Sequence, residues 1–162
     1  MVESGYYKVN NSYFSFFSRK YACIFKFNKD GNRPVFCCYE DTKINGLYWA
    51  VPTGRADNKD LSRINMYINL PKNKLGHSFY HIGYTNKPAI FYISSSFPIT
   101  NKYISGEYMS QGIHLITRNE RQNREIRIKL RNIVAYENTH ANYFEQRITD
   151  IKNFLVSELV SN

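Results

Sequence analysis

The hydrophobic pattern of this 162-residue chain changes its period in the last third of the sequence. In the first two thirds, apolar residues form short alternating or nearly continuous runs bounded by turn residues, as strands do. From residue 125 onwards they recur every three or four positions, as on the buried face of a helix. Strands followed by helices predict an α+β fold in which helices cover an antiparallel sheet.

The same patterns predict the individual elements. Strands are expected at 6–9, 77–84 and 89–95, with a hairpin of 34–40 and 47–51 across the turn 43–46 and another turn at 29–32. Helices are expected at 125–138 and 142–160, with a break near 137–140. The secondary structure of three segments stays open. Segment 11–27 is either a helix capped by Asn11 or Ser12 or, in its later half, a strand. Segment 61–72 is a helix or a strand, and segment 98–104 is a turn followed by a short strand or helix.

The charge of the chain favours a polyanionic partner. Lys and Arg number 22 against 13 acidic residues, a net charge of +9, and the length suits one domain spanning 1–162. Such a surplus indicates nucleic acid, or less often an anionic membrane surface. The 14 tyrosines and 11 phenylalanines suit half-buried sheet faces, and their rings also stack on unpaired bases.

The cysteines and the apolar segments predict a cytoplasmic protein with reduced thiols. Adjacent Cys37 and Cys38 would point to opposite faces of a strand and are poorly placed to pair, which leaves an odd count with Cys23. No CxxC spacing occurs, so we expect no zinc site and no other metal or cofactor. We also expect no membrane association, because no signal pattern and no apolar stretch of membrane-spanning length is present.

The stretch "YWAVPTGRADNKD" at 48–60 carries the best candidate site. Pro52 should end the hydrogen bonding of the preceding strand, and Gly54 would let backbone N–H groups approach an anion. Thr53 offers a hydroxyl, and Arg55 and Lys59 offer cations suited to a phosphate. The residues therefore predict a phosphate-binding loop, and a polar connecting turn remains the alternative.

Further candidates lie elsewhere in the chain. His77 and His81 would share one face of a strand and could transfer protons, although strand histidines are more often structural. Arg118, Arg121 and Arg124 recur at a spacing of three, which fits either a phosphate-tracking surface or an ordinary solvated helix face. From charge, aromatic character or position alone, the remaining candidates for RNA contact are Arg19, Lys20, Lys43, Trp49, Asn58, Lys72 and Lys74.

Four segments occur in order along the chain and are followed by two helices: "YYKVN", "SYFSFF", "RPVFCCYEDTKINGLYWAVPTG" and "IFYISSSFPITNKYI". In this order of segments, the chain resembles the ToxN/AbiQ family of type III toxins, most closely its CptN branch. The resemblance implies a compact, twisted, barrel-like antiparallel sheet related to the MazF/Kid/CcdB toxins. It implies a metal-independent endoribonuclease that is neutralised by a small structured antitoxin RNA and processes that RNA's precursor. Growth inhibition, abortive phage infection or plasmid maintenance would be its role, and an RNA-mediated assembly its resting form.

The resemblance also implies roles for individual residues. The family's active loop reads Pro, a small residue, Thr-Ser or Ser-Ser, and then a lysine. Thr53 matches the hydroxyl position, Gly54 stands where a serine is usual, and Arg55 stands near the usual lysine. Arg55 and Lys59 would then stabilise the phosphorane charge, while His77, His81, Tyr6 or Tyr7 transfers a proton. The alternatives left open are a non-catalytic RNA-binding module and, less favoured, a DNA-binding domain.

Overall fold

The structure is a computed structural model that describes residues 1–27 and 33–161. The strands are β1 (Tyr6–Val9), β2 (Val35–Glu40), β3 (Leu47–Arg55), β4 (Tyr80–Tyr84), β5 (Pro88–Tyr92), β6 (Phe97–Thr100), β7 (Ile104–Glu107), β8 (Met109–Ser110) and β9 (Ile113–His114). The helices are α1 (Asn11–Tyr21), α2 (Ser62–Ile68), α3 (Glu120–Thr139) and α4 (Ile148–Ser161). The predicted α+β class is confirmed.

The strands pair throughout in antiparallel fashion. The main sheet has the order β4-β5-β3-β2-β1-β7, with β6 also paired to β3, and β8 and β9 form a separate hairpin. The predicted hairpin of β2 and β3 is present, and its register joins Val35 to Pro52 and Cys37 to Ala50. Since β3 pairs with β2 on one side and with β6 and then β5 on the other, it is the central strand.

Two hydrophobic cores lie on the two sides of this sheet. One core packs Tyr13 and Phe17 of α1 and Ile151 and Leu155 of α4 against the sheet. The other packs Ile126, Leu130 and Ile133 of α3 against the opposite side, so the predicted helical stripe is the buried one. Cys37 lies in the first core and Cys38 in the second, as their adjacent positions on a strand predict.

The segment 11–27, left open by its sequence, contains a helix. Asn10 caps it by accepting a hydrogen bond from the backbone N–H of Ser12, and Tyr13 and Phe17, four residues apart, are both buried. The helix ends where Ala22 adopts a left-handed φ of 56°. The predicted turn at 29–32 lies outside the described residues.

Several predicted boundaries were wrong. The chain from 77 to 79 is not strand, because residues 75–78 form a 3-10 turn before β4. Likewise β5 stops at Tyr92, and a 3-10 turn covers residues 93–95. The last helix begins at Ile148 rather than at residue 142, because Asn142 and Arg147 have positive φ angles that interrupt a helix. Residues 61–72 resolve into the short helix α2.

Candidate active site

The end of β3 forms the site, and the prediction that Pro52 ends this strand was wrong. β3 continues to Arg55 because it changes partner: residues 47–50 pair with β6, and residues 53–55 pair with β5. Val51 and Pro52 lie between these two pairings, where that edge of β3 has no partner. The missing N–H of Pro52 is therefore tolerated in mid-strand.

The alternation of β3 places its last residues on two sides of the sheet. Thr53 and Arg55 point to one side, and Gly54 faces the other side, where Tyr92 covers it. A Cβ atom on Gly54 would lie 3.0 Å from the Tyr92 ring. Gly54 therefore allows close packing at this position, and its φ does not lie in the left-handed range.

A cleft of about 440 Å³ lies beside Thr53 and Arg55, and we call it the cationic cleft. Its charged lining consists of Arg33, Arg55, Lys59 and Lys87. Among the described residues, no aspartate or glutamate lines this cleft. The cleft is also lined by the hydroxyl-bearing residues Tyr6, Tyr108, Thr53 and Thr85, of which Tyr6 and Thr53 are buried. The lining is suited to a phosphate, which needs several cations and hydrogen-bond donors at close range.

Several of the cleft's polar groups already have partners, among them Arg55 and Thr53. The Arg55 guanidinium forms a two-point contact with Asp57, at 3.1 and 2.7 Å, and remains largely exposed. The Thr53 hydroxyl donates to the Pro34 carbonyl at 2.9 Å and is buried. Thr53 could hold a phosphate oxygen as donor only by giving up that bond. Arg55 keeps exposed N–H groups for an anion.

The candidates for proton transfer are separated by the fold. Tyr6 lines the cationic cleft, and its hydroxyl lies 2.9 Å from the Thr117 hydroxyl. Burial raises the pKa of Tyr6, so its phenol stays protonated at neutral pH. The neighbouring Tyr7 points to the other side of the sheet, and its hydroxyl accepts from the Val2 backbone N–H. Tyr7 therefore does not line this cleft.

Both histidine candidates line a different cavity, of about 600 Å³. His77 lies in the 3-10 turn and contacts the Leu70 carbonyl through Nδ1 at 2.9 Å, so the two histidines do not share a strand face. Burial, followed by the nearby Lys129 cation, lowers the pKa of His81 to about 4, against the opposing effect of Glu125. His81 is therefore neutral at neutral pH.

The predicted RNA-contact residues are spread over the surface, with one correction. Nine of them are exposed and do not line the cationic cleft: Arg19, Lys20, Lys43, Asn58, Lys72, Lys74, Arg118, Arg121 and Arg124. Arg118 precedes α3, and Arg121 forms an ion pair with Glu125. Trp49 was predicted wrongly: its side chain is 1% exposed and its indole N–H donates to Asp41, so no base can stack on it.

Sequence reasoning missed Arg33, Lys87 and Tyr108, which also line the cleft. Arg33 precedes β2, Lys87 lies in the turn between β4 and β5, and Tyr108 follows β7. Lys87 reaches the cleft through the pairing of β3 with β5, and Arg33 through the pairing of β2 with β3. Tyr108 is held there by its backbone N–H, which donates to the Tyr6 carbonyl at 2.9 Å. Their charge and aromatic character were visible in the sequence, but only Arg33, which directly precedes the predicted hairpin of 34–40 and 47–51, was linked by it to the 48–60 stretch.

No protein-family model matches this chain, and no curated protein does. Seven chains of solved structures match, one of them from a bacterial type III toxin–antitoxin system in which a non-coding RNA pseudoknot selectively inhibits the toxin. That alignment covers 99% of this chain and 75% of the other, at 14% identity and a TM-score of 0.43. At such a TM-score we draw nothing about this chain from it.

Residues 1–27 and 33–161 contain neither a membrane-spanning helix nor a cluster of metal ligands. No helix within these ranges combines the length and the apolar character needed to cross a membrane. In the same ranges, no three His, Cys, Asp or Glu side chains are grouped in a way that could hold a metal ion. All three cysteines are free and buried.

Proposed function

We propose that this protein is an endoribonuclease that binds the scissile phosphate of single-stranded RNA in the cationic cleft. The supporting observation is the convergence of Arg33, Arg55, Lys59 and Lys87 on one cleft with no lining carboxylate among the described residues. Four cations attract a phosphodiester, and Arg55 can bind two of its oxygens at once. The resemblance of the sequence to the ToxN/AbiQ toxins points to the same stretch of β3.

The proposed reaction is transfer of the phosphoryl group within the RNA. The 2′-oxygen attacks the adjacent phosphorus, the bond from phosphorus to the 5′-oxygen breaks, and the products are a 2′,3′-cyclic phosphate and a 5′-hydroxyl. One proton passes from the 2′-hydroxyl to a solvent water, and one reaches the departing 5′-oxygen. Arg55 and Lys59 stabilise the charge on the phosphoryl oxygens in the transition state, while Thr53 and the backbone at Gly54 position the phosphate.

Tyr6 is the candidate for the proton donor to the 5′-oxygen. It lines the cleft, unlike Tyr7, His77 and His81, and its raised pKa keeps the phenol protonated. The Tyr6 side chain is fully buried, so to donate, its hydroxyl must become accessible from the cleft and exchange its contact with Thr117 for one with the leaving oxygen. Since no described histidine or carboxylate lines the cleft, we expect positioning and charge stabilisation to supply most of the rate.

We further propose that the enzyme is the toxin of a type III toxin–antitoxin system. The resemblance implies a small structured antitoxin RNA as inhibitor, target mRNA as substrate, and an assembly held together by the RNA. The antitoxin RNA would contact the exposed cationic candidates, which are Arg19, Lys20, Lys43, Lys72, Lys74, Arg118, Arg121 and Arg124. Such contacts should make its affinity fall steeply with salt concentration.

The first test is RNA cleavage in the presence of EDTA. Purified protein, stripped of RNA under denaturing conditions and refolded, is incubated with a mixed-sequence RNA and the new ends are mapped. We expect 2′,3′-cyclic phosphate ends, and we expect Arg55→Ala to abolish them. The double variant Thr53→Ala with Arg55→Ala should be equally inactive and still folded.

Lys8→Ala is the matched control for this experiment. Lys8 is exposed on β1 and lines neither the cationic cleft nor the histidine cavity, yet its loss changes the net charge by the same amount. This variant should cleave as the parent does. Full cleavage by a well-folded Thr53→Ala, Arg55→Ala double variant would remove the cationic cleft from the reaction.

The second candidate function is a non-catalytic RNA-binding module. The cleft favours it in one respect: no histidine or carboxylate among the described residues is placed there to accept the proton of the 2′-hydroxyl. In that case the same cations only hold phosphates. RNA that stays intact after incubation with the refolded protein, and that loses affinity in Arg55→Ala but not in Lys8→Ala, would favour this function.

A further inference from the structure

A second cleft, of about 570 Å³, lies next to the cationic cleft and has many aromatic side chains in its walls. We call it the aromatic cleft, and its rings are those of Phe27, Tyr67, Phe79, Tyr80, Tyr92, Tyr143 and Phe144. Lys59 lines both clefts. The two also meet through the sheet, because Tyr92 covers Gly54 from the aromatic side. Its volume falls within the roughly 300–1,000 Å³ usual for sites that hold a small organic group.

We infer that the aromatic cleft binds an unstacked nucleobase of single-stranded RNA whose phosphate lies in the cationic cleft. This inference rests on the proposed function and specifies its substrate: RNA with an unpaired base next to the bound phosphate. Aromatic side chains bind unpaired bases by stacking, and cations beside them hold the backbone. Lys59, which lines both clefts, would contact the backbone between base and phosphate.

Tyr67 is the ring best placed to receive a base. It lies on α2, is half-buried, and sits four residues after Arg63, so both side chains point to the same face of the helix. It meets Phe79 and Tyr80 at interplanar angles of 39° and 52°, with no ring of the described residues lying parallel on it. By contrast, Tyr92 is already stacked flat against Phe27, with their centroids 3.6 Å apart.

The charges at this cleft also suit a nucleotide. Its cations are Lys26, Lys59 and Arg63, and its acids are Asp60 and Glu145. Glu145 pairs with Lys26 at 2.6 Å, and Asp60 accepts a hydrogen bond from the Ser62 backbone N–H. Within the described residues, neither Lys59 nor Arg63 forms an ion pair, so both can contact the RNA backbone beside the base.

The test is binding of a short single-stranded RNA in which each nucleotide in turn is made abasic. Fluorescence anisotropy gives the affinity for the parent protein and for Tyr67→Leu. We expect one abasic position to weaken binding to the parent about 10-fold or more. Tyr67→Leu should weaken binding of the intact RNA by a similar factor and become insensitive to that abasic position, whereas Tyr67→Phe should behave as the parent.

The controls separate the inference from the proposed function. Tyr21→Leu removes another half-buried helical tyrosine that lines neither cleft, and it should change nothing. Arg55→Ala should weaken the binding of intact and abasic RNA alike, because it acts on the phosphate.

If Tyr67→Leu fails to fold, Tyr143→Leu, at a 56% exposed position of the same cleft, takes its place. Two results would overturn the inference and leave the proposed function standing. The first is tight RNA binding that no abasic position weakens. The second is an abasic position that weakens binding as strongly in Tyr67→Leu and Tyr143→Leu as in the parent. No RNA binding by the parent would overturn both.

Discussion

At the scale of single residues, the charge of the cationic cleft depends on one ion pair. Asp57 does not line the cleft, but it holds the Arg55 guanidinium through two N–H groups. The pair is exposed, so it contributes little to the stability of the fold. Its main effect is to offset one of the four cations offered to a phosphate.

Replacing Asp57 with asparagine should therefore tighten RNA binding. We expect affinity for single-stranded RNA to rise about 3- to 10-fold at low salt, with a steeper salt dependence, because the cleft gains one net positive charge. Glu120→Gln changes the net charge equally at an exposed position on α3 and should have a smaller effect. Weaker binding by Asp57→Asn would mean that Asp57 orients Arg55 rather than competing with RNA.

The lowered pKa of His81 predicts a pH-dependent loss of stability. The pKa is near 6.5 in the unfolded chain and about 4 in the folded protein, so only the unfolded chain takes up this proton as the pH falls between those values. Stability should fall over that window by at most about 3 kcal/mol, and by less after solvent screening. Urea unfolding from about pH 7 to pH 4 measures the loss.

His81→Gln tests the assignment of this pH dependence to His81. The variant should show a smaller loss of stability across the same window, because glutamine does not titrate. His140→Gln, at an exposed position after α3, should keep the parental pH dependence. Equal slopes in the parent and in His81→Gln would contradict the assignment.

At the scale of elements, two side chains of α3 hydrogen-bond to the backbone of β4: Lys129, which donates to the Tyr80 carbonyl at 2.8 Å, and Gln122. The Gln122 amide donates to the Tyr84 carbonyl and accepts from the Tyr84 backbone N–H, both at 2.8 Å. Gln122 is buried, so these bonds are protected from water. They supply two of the backbone hydrogen bonds that β4, which ends the main sheet, would otherwise leave unmade.

Gly83→Ala should break this junction. A Cβ atom at Gly83 would overlap with Gln122 Oε1, so the amide must move and lose its bonds to Tyr84. We expect a loss of about 2 to 4 kcal/mol from the free energy of unfolding. Gly106→Ala on β7 is the matched control, since its added Cβ meets no atom within 4 Å, and it should be nearly neutral. Equal stability of both variants would show that Gln122 does not couple α3 to β4.

At the scale of the whole molecule, the same sheet carries both hydrophobic cores. Phe17 belongs to the core beneath α1 and α4, and Trp49 belongs to the core beneath α3. Neighbouring residues on one strand, such as Cys37 and Cys38, supply opposite cores. Loss of one core therefore destabilises the sheet against which the other core packs. We expect the protein to unfold as a single cooperative unit.

Phe17→Ala tests this cooperativity. We expect a loss of about 3 to 5 kcal/mol, seen equally in Trp49 fluorescence and in far-ultraviolet circular dichroism during urea unfolding. Trp49 is the chain's single tryptophan, so its fluorescence reports on the core that was not mutated. A fluorescence transition left at its parental midpoint would show that the two cores unfold independently.

The sequence by itself determined the fold class, the β2–β3 hairpin, the buried stripe of α3 and the stretch that carries Thr53 and Arg55. These depend on period, turn chemistry and local charge, which act over a few residues. Only the tertiary structure decided the rest. The pairing of β3 with β5 brings Lys87 to the cleft that Arg33 and Arg55 also line, whereas His77 and His81 line another cavity and Trp49 is buried in the core beneath α3. Pairing between distant strands sets these contacts, and local pattern carries no record of which strands meet.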